Sequence, residues 1–160
     1  MKIEIVDLEI PEQSNIIVGY SHFIKTVEDL YEIVVTTAPE AKFGIAFSEA
    51  SGKRLIRYEG NDQTLVDSSI EDVRRIAAGH TFIIILRNAY PINLLNQIKL
   101  CQEVGGIFAA TANPLKVIVA RDTDRAAIIG VMDGSSPVGV ESDADKTERR
   151  EFLRNIGYKK

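Results

Sequence analysis

Two stretches of this chain can be laid side by side without a gap: KFGIAFSEASGKRLIRYEG, beginning at Lys42, and VGGIFAATANPLKVIVARD, beginning at Val104. Gly44 then falls on Gly106, Ile45 on Ile107, Ala50 on Ala112 and Ile56 on Ile118. The identities are few. What carries the repeat is that each block is preceded by the same order of elements: an apolar strand, a polar loop and an amphipathic helix. A repeat at a fixed period builds one supersecondary unit twice. The sequence therefore predicts two β-loop-α-β-β units, one from about Ile16 to Glu59 and one from about Thr81 to Arg121. The fold class expected is α+β: a single compact domain over residues 1–160, with a mixed β-sheet, helices and an internal duplication.

Local signals fill in the units. Lys2–Ile10 alternates apolar and polar residues and ends at Pro11, as a half-exposed strand does. Ile16–Tyr20 reads as a short strand. Thr26 is expected to cap a helix with Val27, Leu30, Tyr31, Val34 and Val35 on one face, ended by Pro39. Phe43–Phe47 and Leu55–Tyr58 read as strands around SEASGKR. A second helix is predicted over about Leu65–Ala78, with Ser68 and Glu71 at capping-box spacing and Gly79 as its C′ residue. Phe82–Leu86 is apolar at every position, the mark of a central strand. Pro91 suits the first turn of a helix that buries Leu94, Leu95 and Ile98. Strands follow over Ile107–Ala110, Val117–Ala120 and Ala126–Val131, then the loop DGSSPVG and a polar helix over about Ala144–Ile156.

Composition narrows the class of function. A chain of 160 residues is long enough for one core. No apolar run approaches the roughly 20 residues of a membrane helix, and MKIEIVDLEI lacks a signal-peptide core, so no membrane partner is expected. The single cysteine, Cys101, fits a reducing cytoplasm. With 19 basic and 23 acidic side chains the net charge is -4, which disfavours nucleic acid as a partner.

The duplication makes SHFIKT and RNAYP equivalent strand-to-helix loops, and SEASGKR and TANP equivalent strand-to-strand loops. The expectation is that all four gather in one cleft at the seam, where open α/β sheets bind ligands. His22 and Lys25 lie at a helix start, where free N–H groups favour an anion. That makes His22 the preferred acid/base or phosphoryl acceptor. His80 follows a helix C-terminus, whose negative dipole end disfavours an added phosphate, so it is the second candidate. Two His and one Cys give no zinc spacing, and no protein-held metal is expected. EASGKR is not a P-loop, because Phe47 and Arg54 occupy positions that need Gly and Ser or Thr. It still offers Ser51, the Gly52 amide and Lys53 to a phosphate, with Glu49 as a base or ribose ligand; the plain alternative is a solvated β-turn. Ser135 and Ser136 could form an anion nest, with Asp133 able to bind a sugar hydroxyl pair or a metal, or the loop could serve only as a connection.

SHFIKTVEDLYE, KFGIAFSEASGKRLIRYEGND, GHTFIIILRNAYPINLLN, GGIFAATANP, IIGVMDGSSPVGVE and RREFLRNIGYK together resemble the archaeal and bacterial family called adenosine-specific kinase, over essentially the whole chain. The resemblance implies a domain that binds adenosine and AMP, with histidine phosphorylation as part of its chemistry. It also implies a homo-oligomer, a trimer or a multiple of one being among the arrangements. Under it, Phe47 and Tyr90 would face the purine, Asn88 and Asn113 its edge, and Glu49 or Asp133 the ribose. Lys25, Lys53, Arg54, Ser135 and Ser136 would hold the 5′-phosphate. Two functions stay open. One is a phosphotransferase acting on the adenosine 5′-hydroxyl, with Mg²⁺ arriving on the phosphate donor. The other is a non-catalytic adenosine/AMP-binding protein or sensor.

Overall fold

The structure is a computed structural model describing residues 1–160. In chain order its elements are β1 (Lys2–Asp7), β2 (Asn15–Ser21), α1 (Thr26–Thr37), β3 (Lys42–Ser48), β4 (Ile56–Gly60), α2 (Gln63–Ile76), β5 (Thr81–Arg87), α3 (Pro91–Leu100), β6 (Val104–Thr111), β7 (Leu115–Asp122), β8 (Arg125–Asp133) and α4 (Asp143–Asn155). Five strands form one sheet in the order β4-β3-β5-β2-β6, and three form a second in the order β1-β7-β8. The single α+β domain predicted from the sequence is what forms.

Every ladder is antiparallel, which corrects the expectation of a mixed sheet. The reason is interleaving. Within each unit the helix carries the chain across to a parallel strand, as a crossover must. But β5 inserts between β2 and β3, and β2 inserts between β5 and β6. The parallel strands of one unit are therefore separated by an antiparallel strand of the other.

The sheet is buried on both faces. Phe82, Ile84 and Leu86 of β5 meet Leu30 and Val34 of α1 and Leu94 and Ile98 of α3. Ile83 and Ile85, which point the other way, meet Leu65, Val73 and Ile76 of α2 and Val117 and Val119 of β7. That is why Thr81–Leu86 carries no polar alternation. Exact pseudo-symmetry ends at the last strand of each unit. β4 stays beside β3, whereas β7 leaves the large sheet and pairs with β1 and β8 across its second face.

Local caps differ from the sequence reading. Lys25, not Thr26, is the N-cap of α1. The Thr26 hydroxyl is buried and bonds to Ser21 Oγ at 2.5 Å and to the Phe23 carbonyl. α2 begins two residues earlier than expected because Asp62 accepts the Leu65 amide at 3.2 Å. Ser68 instead donates to the Thr64 carbonyl inside the helix. Ala77 takes the left-handed cap at φ 51°. Gly79 serves a different need, since a Cβ there would lie 2.8 Å from Ala50 Cβ.

Candidate functional site

Antiparallel packing of β2 against β5 decides where the loops go. The C-terminal ends of the two strands point in opposite directions, so the four loops form two groups, correcting the single cleft expected. SHFIKT, SEASGKR, His80 and the β7–β8 turn share one end of the sheet. RNAYP, TANP and the loop after Asp133 share the other. Seven residues of β2 separate them, about 20 Å at strand rise. One nucleoside monophosphate does not span both in a single chain.

The first end holds a cleft of about 890 Å³ lined by Tyr20, Glu49, Lys53, Arg54, Arg74, His80, Asp124 and Arg125. His80 is built into it by its backbone. Its N–H donates to the Ser48 carbonyl at 2.7 Å, and its carbonyl accepts the Ser21 amide at 2.9 Å, tying together the ends of β3, β5 and β2. These bonds hold a non-glycine residue at φ 65°. The imidazole stacks on Phe47, with Tyr20 edge-on at 5.8 Å. Phe47 itself is 1% exposed, so a ligand would meet it only through His80.

Four cations line this cleft against two carboxylates, in a chain of net charge -4. Both carboxylates are already engaged. Glu49 accepts the Leu55 amide at 3.0 Å and the Arg57 guanidinium at 3.2 Å, which hold its carboxyl below the usual range, the Leu55 bond contributing most. Asp124 pairs with Arg54 at 3.3 Å. Arg74 is paired with Glu71, while Lys53 and Arg125 carry no ion pair. The turn that presents Ser51, Gly52 and Lys53 has Gly52 at φ 65° and Arg54 at φ 53°.

His22 and Lys25 lie at the same end but outside the cleft. His22 is exposed beside Phe23. Lys25 bonds Asp29 at 2.9 Å, which raises its pKa, with Glu103 adding to the effect. Glu28 and Asp29 already occupy the first turn of α1, where an anion would otherwise be stabilised.

At the far end, Asn88 is exposed at φ 59° and Tyr90 is exposed. Asp133 Oδ1 accepts Thr111 Oγ1 at 2.8 Å and Asn113 Nδ2 at 3.0 Å, closing the TANP loop against β8. Ser135 and Ser136 follow it, exposed. Tyr20, Arg74, Asp124 and Arg125 escaped the sequence reading. Tyr20 was findable, as it precedes SHFIKT on the same strand; the others reach the cleft only through packing of α2 and the second sheet.

Fold and cleft together define a small α+β protein with a cationic site lined by a stacked histidine. The family model described as adenosine specific kinase matches residues 6–159, and the chain belongs to that family. The crystal structure of PH1918 protein from Pyrococcus horikoshii OT3 is similar, at 45% identity over 99% of this chain and 98% of that one, with a TM-score of 0.95. No curated protein matches the chain. No helix is long and apolar enough to cross a membrane.

Proposed function

We propose that the His80 cleft binds adenosine and AMP, and that His80 carries a phosphoryl group to the adenosine 5′-hydroxyl. The observation that carries this reading is the imidazole held against Phe47 and Tyr20 in a cleft that also carries the unpaired cations Lys53 and Arg125. In the first step a ring nitrogen bonds the terminal phosphorus of an Mg²⁺-bound nucleoside triphosphate as the bond to the diphosphate breaks. In the second the 5′-oxygen bonds that phosphorus, the N–P bond breaks and the hydroxyl proton is released. Splitting transfer this way removes the need to hold two nucleotides at once. Lys53, Arg125 and the Gly52 amide would neutralise the moving phosphate.

Labelled ATP and adenosine test this: AMP should form over many turnovers, stop in His80→Gln and continue in His22→Gln. Loss only in His22→Gln would move the chemistry to the exposed histidine. A second reading, binding without turnover, draws support from Glu49 and Asp124, whose engaged carboxylates leave the cleft without a free base. In that case adenosine binds and AMP does not accumulate.

We also infer a homo-oligomer. α4 has no buried residue, and Phe152, Ile156 and Tyr158 on and after it are exposed, an arrangement that a second copy would cover.

A further inference from the structure

Glu103, immediately before β6, is 1% exposed, yet neither of its carboxylate oxygens has a hydrogen-bond partner. A buried carboxylate without hydrogen bonds is costly and calls for an explanation. Two further ligand-type side chains converge on it, Asp29 from α1 and Cys101 from the C-cap of α3. One donor atom from each of the three lies within 4.8 Å of the other two. The cation facing them is Lys25, whose Nζ is 2.9 Å from Asp29 but 3.7 Å from Glu103. One positive charge thus serves two carboxylates, and the more buried one receives the longer contact. The C-terminal end of α3 adds negative potential at the same place. An open groove of about 510 Å³, bordered by Glu32, Ile33 and Gln97, leads in from solvent.

We propose that Asp29, Cys101 and Glu103 form a site for a divalent transition metal of the Zn²⁺ class, with a fourth position open to the groove. A sulfur ligand selects against Mg²⁺ and Ca²⁺, which take oxygen, and two carboxylates with one sulfur suit a borderline-soft ion. Metal–ligand bonds of about 2.0–2.3 Å require the three donors to close by roughly 1 Å. Side-chain rotation of Asp29 and Cys101, both partly exposed, supplies that. On binding, the Cys101 Sγ–H bond breaks and its proton goes to solvent as sulfur bonds the metal, while the Lys25 ammonium swings into the groove. The bound ion would fasten α1 to the α3–β6 junction. Asp29 lies far along the chain from the neighbouring pair Cys101 and Glu103, which is why no zinc spacing is visible in the sequence.

The test titrates the untagged, chelator-treated full-length chain with Co²⁺. One equivalent should produce thiolate-to-cobalt charge-transfer absorption in the near ultraviolet, and Zn²⁺ should displace it. The band should vanish in Cys101→Ser. Affinity should fall about 10-fold or more in Glu103→Gln, the cost of losing even an outer partner of a metal. It should rise in Lys25→Met, which removes the competing ammonium. No band in the unaltered chain, a band that persists in Cys101→Ser, displacement by equimolar Mg²⁺, or weaker binding in Lys25→Met would each overturn the proposal. If Glu103→Gln does not fold, the other two variants decide. None of these outcomes depends on whether the His80 cleft transfers phosphate.

Discussion

His80 lies face to face with Phe47, ring centroids 6.0 Å apart and planes 12° from parallel, on a backbone held at φ 65°. A left-handed non-glycine residue stores on the order of 1–3 kcal/mol of strain, and such strain gathers at functional sites. Two backbone hydrogen bonds and one aromatic stack hold it here. His80→Gly should therefore leave the melting temperature nearly unchanged, because relief of strain offsets the lost stacking. AMP affinity measured by calorimetry should fall at least about 10-fold, the equivalent of roughly 1.4 kcal/mol. Undiminished AMP binding in this variant would take His80 out of the site.

Gly44 and Gly106 occupy equivalent positions in the repeat and should respond oppositely to alanine. A Cβ on Gly44 would lie 2.2–2.4 Å from the Leu65–Val66 backbone of α2, whereas one on Gly106 meets nothing within 4 Å. Overpacking typically costs about 1–3 kcal/mol, and backbone has least room to yield, so Gly44→Ala should fall at or above the top of that range. Gly106→Ala should be neutral within about 0.5 kcal/mol. Urea denaturation of both variants checks the contrast.

Asp72 gives stability a pH dependence. Its carboxyl is fully buried in α2, with Oδ1 accepting the Glu9 amide at 2.9 Å and Oδ2 unpartnered. Burial raises its pKa from 3.8 to about 7, and the Glu9 bond opposes the shift. Between those values the folded chain keeps a proton that the unfolded chain has lost. Stability from this group is full below about pH 4 and declines as pH rises toward 7, by about 2–4 kcal/mol. Asp72→Asn keeps the acceptor for Glu9 and should flatten that slope, leaving the variant the more stable protein at pH 8. Denaturant melts across pH 5–8 measure it; a slope unchanged in Asp72→Asn would assign the dependence elsewhere.

Arg121 closes the second sheet onto α2. Its Nε donates to Glu4 at 2.6 Å, and its two terminal nitrogens reach the Ile76 and Arg75 carbonyls at 2.9 and 2.8 Å. These are the carbonyls a helix end leaves without partners. Arg121→Met keeps much of the aliphatic stem and loses all three bonds, with an expected cost of about 2 kcal/mol. A midpoint shift in urea at constant slope is the signature to look for.

α4 offers the simplest check of self-association. Sedimentation of the full chain should give a mass that is a multiple of 17.7 kDa, and Phe152→Glu, at a side chain 58% exposed, should shift it toward the monomer. A monomeric unaltered chain would remove the oligomer from the functional reading.

Much of the fold was legible because its signals are local. The apolar run at Phe82–Leu86, the helical spacing from Val27 to Val34 and Pro91 at a first turn each depend on neighbours within a few residues, and each is found in the structure. Cap assignments were less secure because two choices compete within one turn. Asp62 and Ser68 both suit a helix start, and the Asn61 side chain settles the matter by anchoring the preceding turn to Phe43 and Ala41.

The sequence by itself determined two repeated units, the strands that must be buried on both faces and the residue types available for chemistry. Only the tertiary structure decided how the units interleave, since strand order depends on which edges meet once both units exist, and no local pattern encodes that. The same step sent SHFIKT and RNAYP to opposite ends of the sheet, brought His80 rather than His22 into a cleft with Arg74 and Arg125, and set Asp29, Cys101 and Glu103 side by side. Periodicity reports which face of an element is apolar, whereas a site is made of side chains whose proximity is settled by packing between elements distant in the chain.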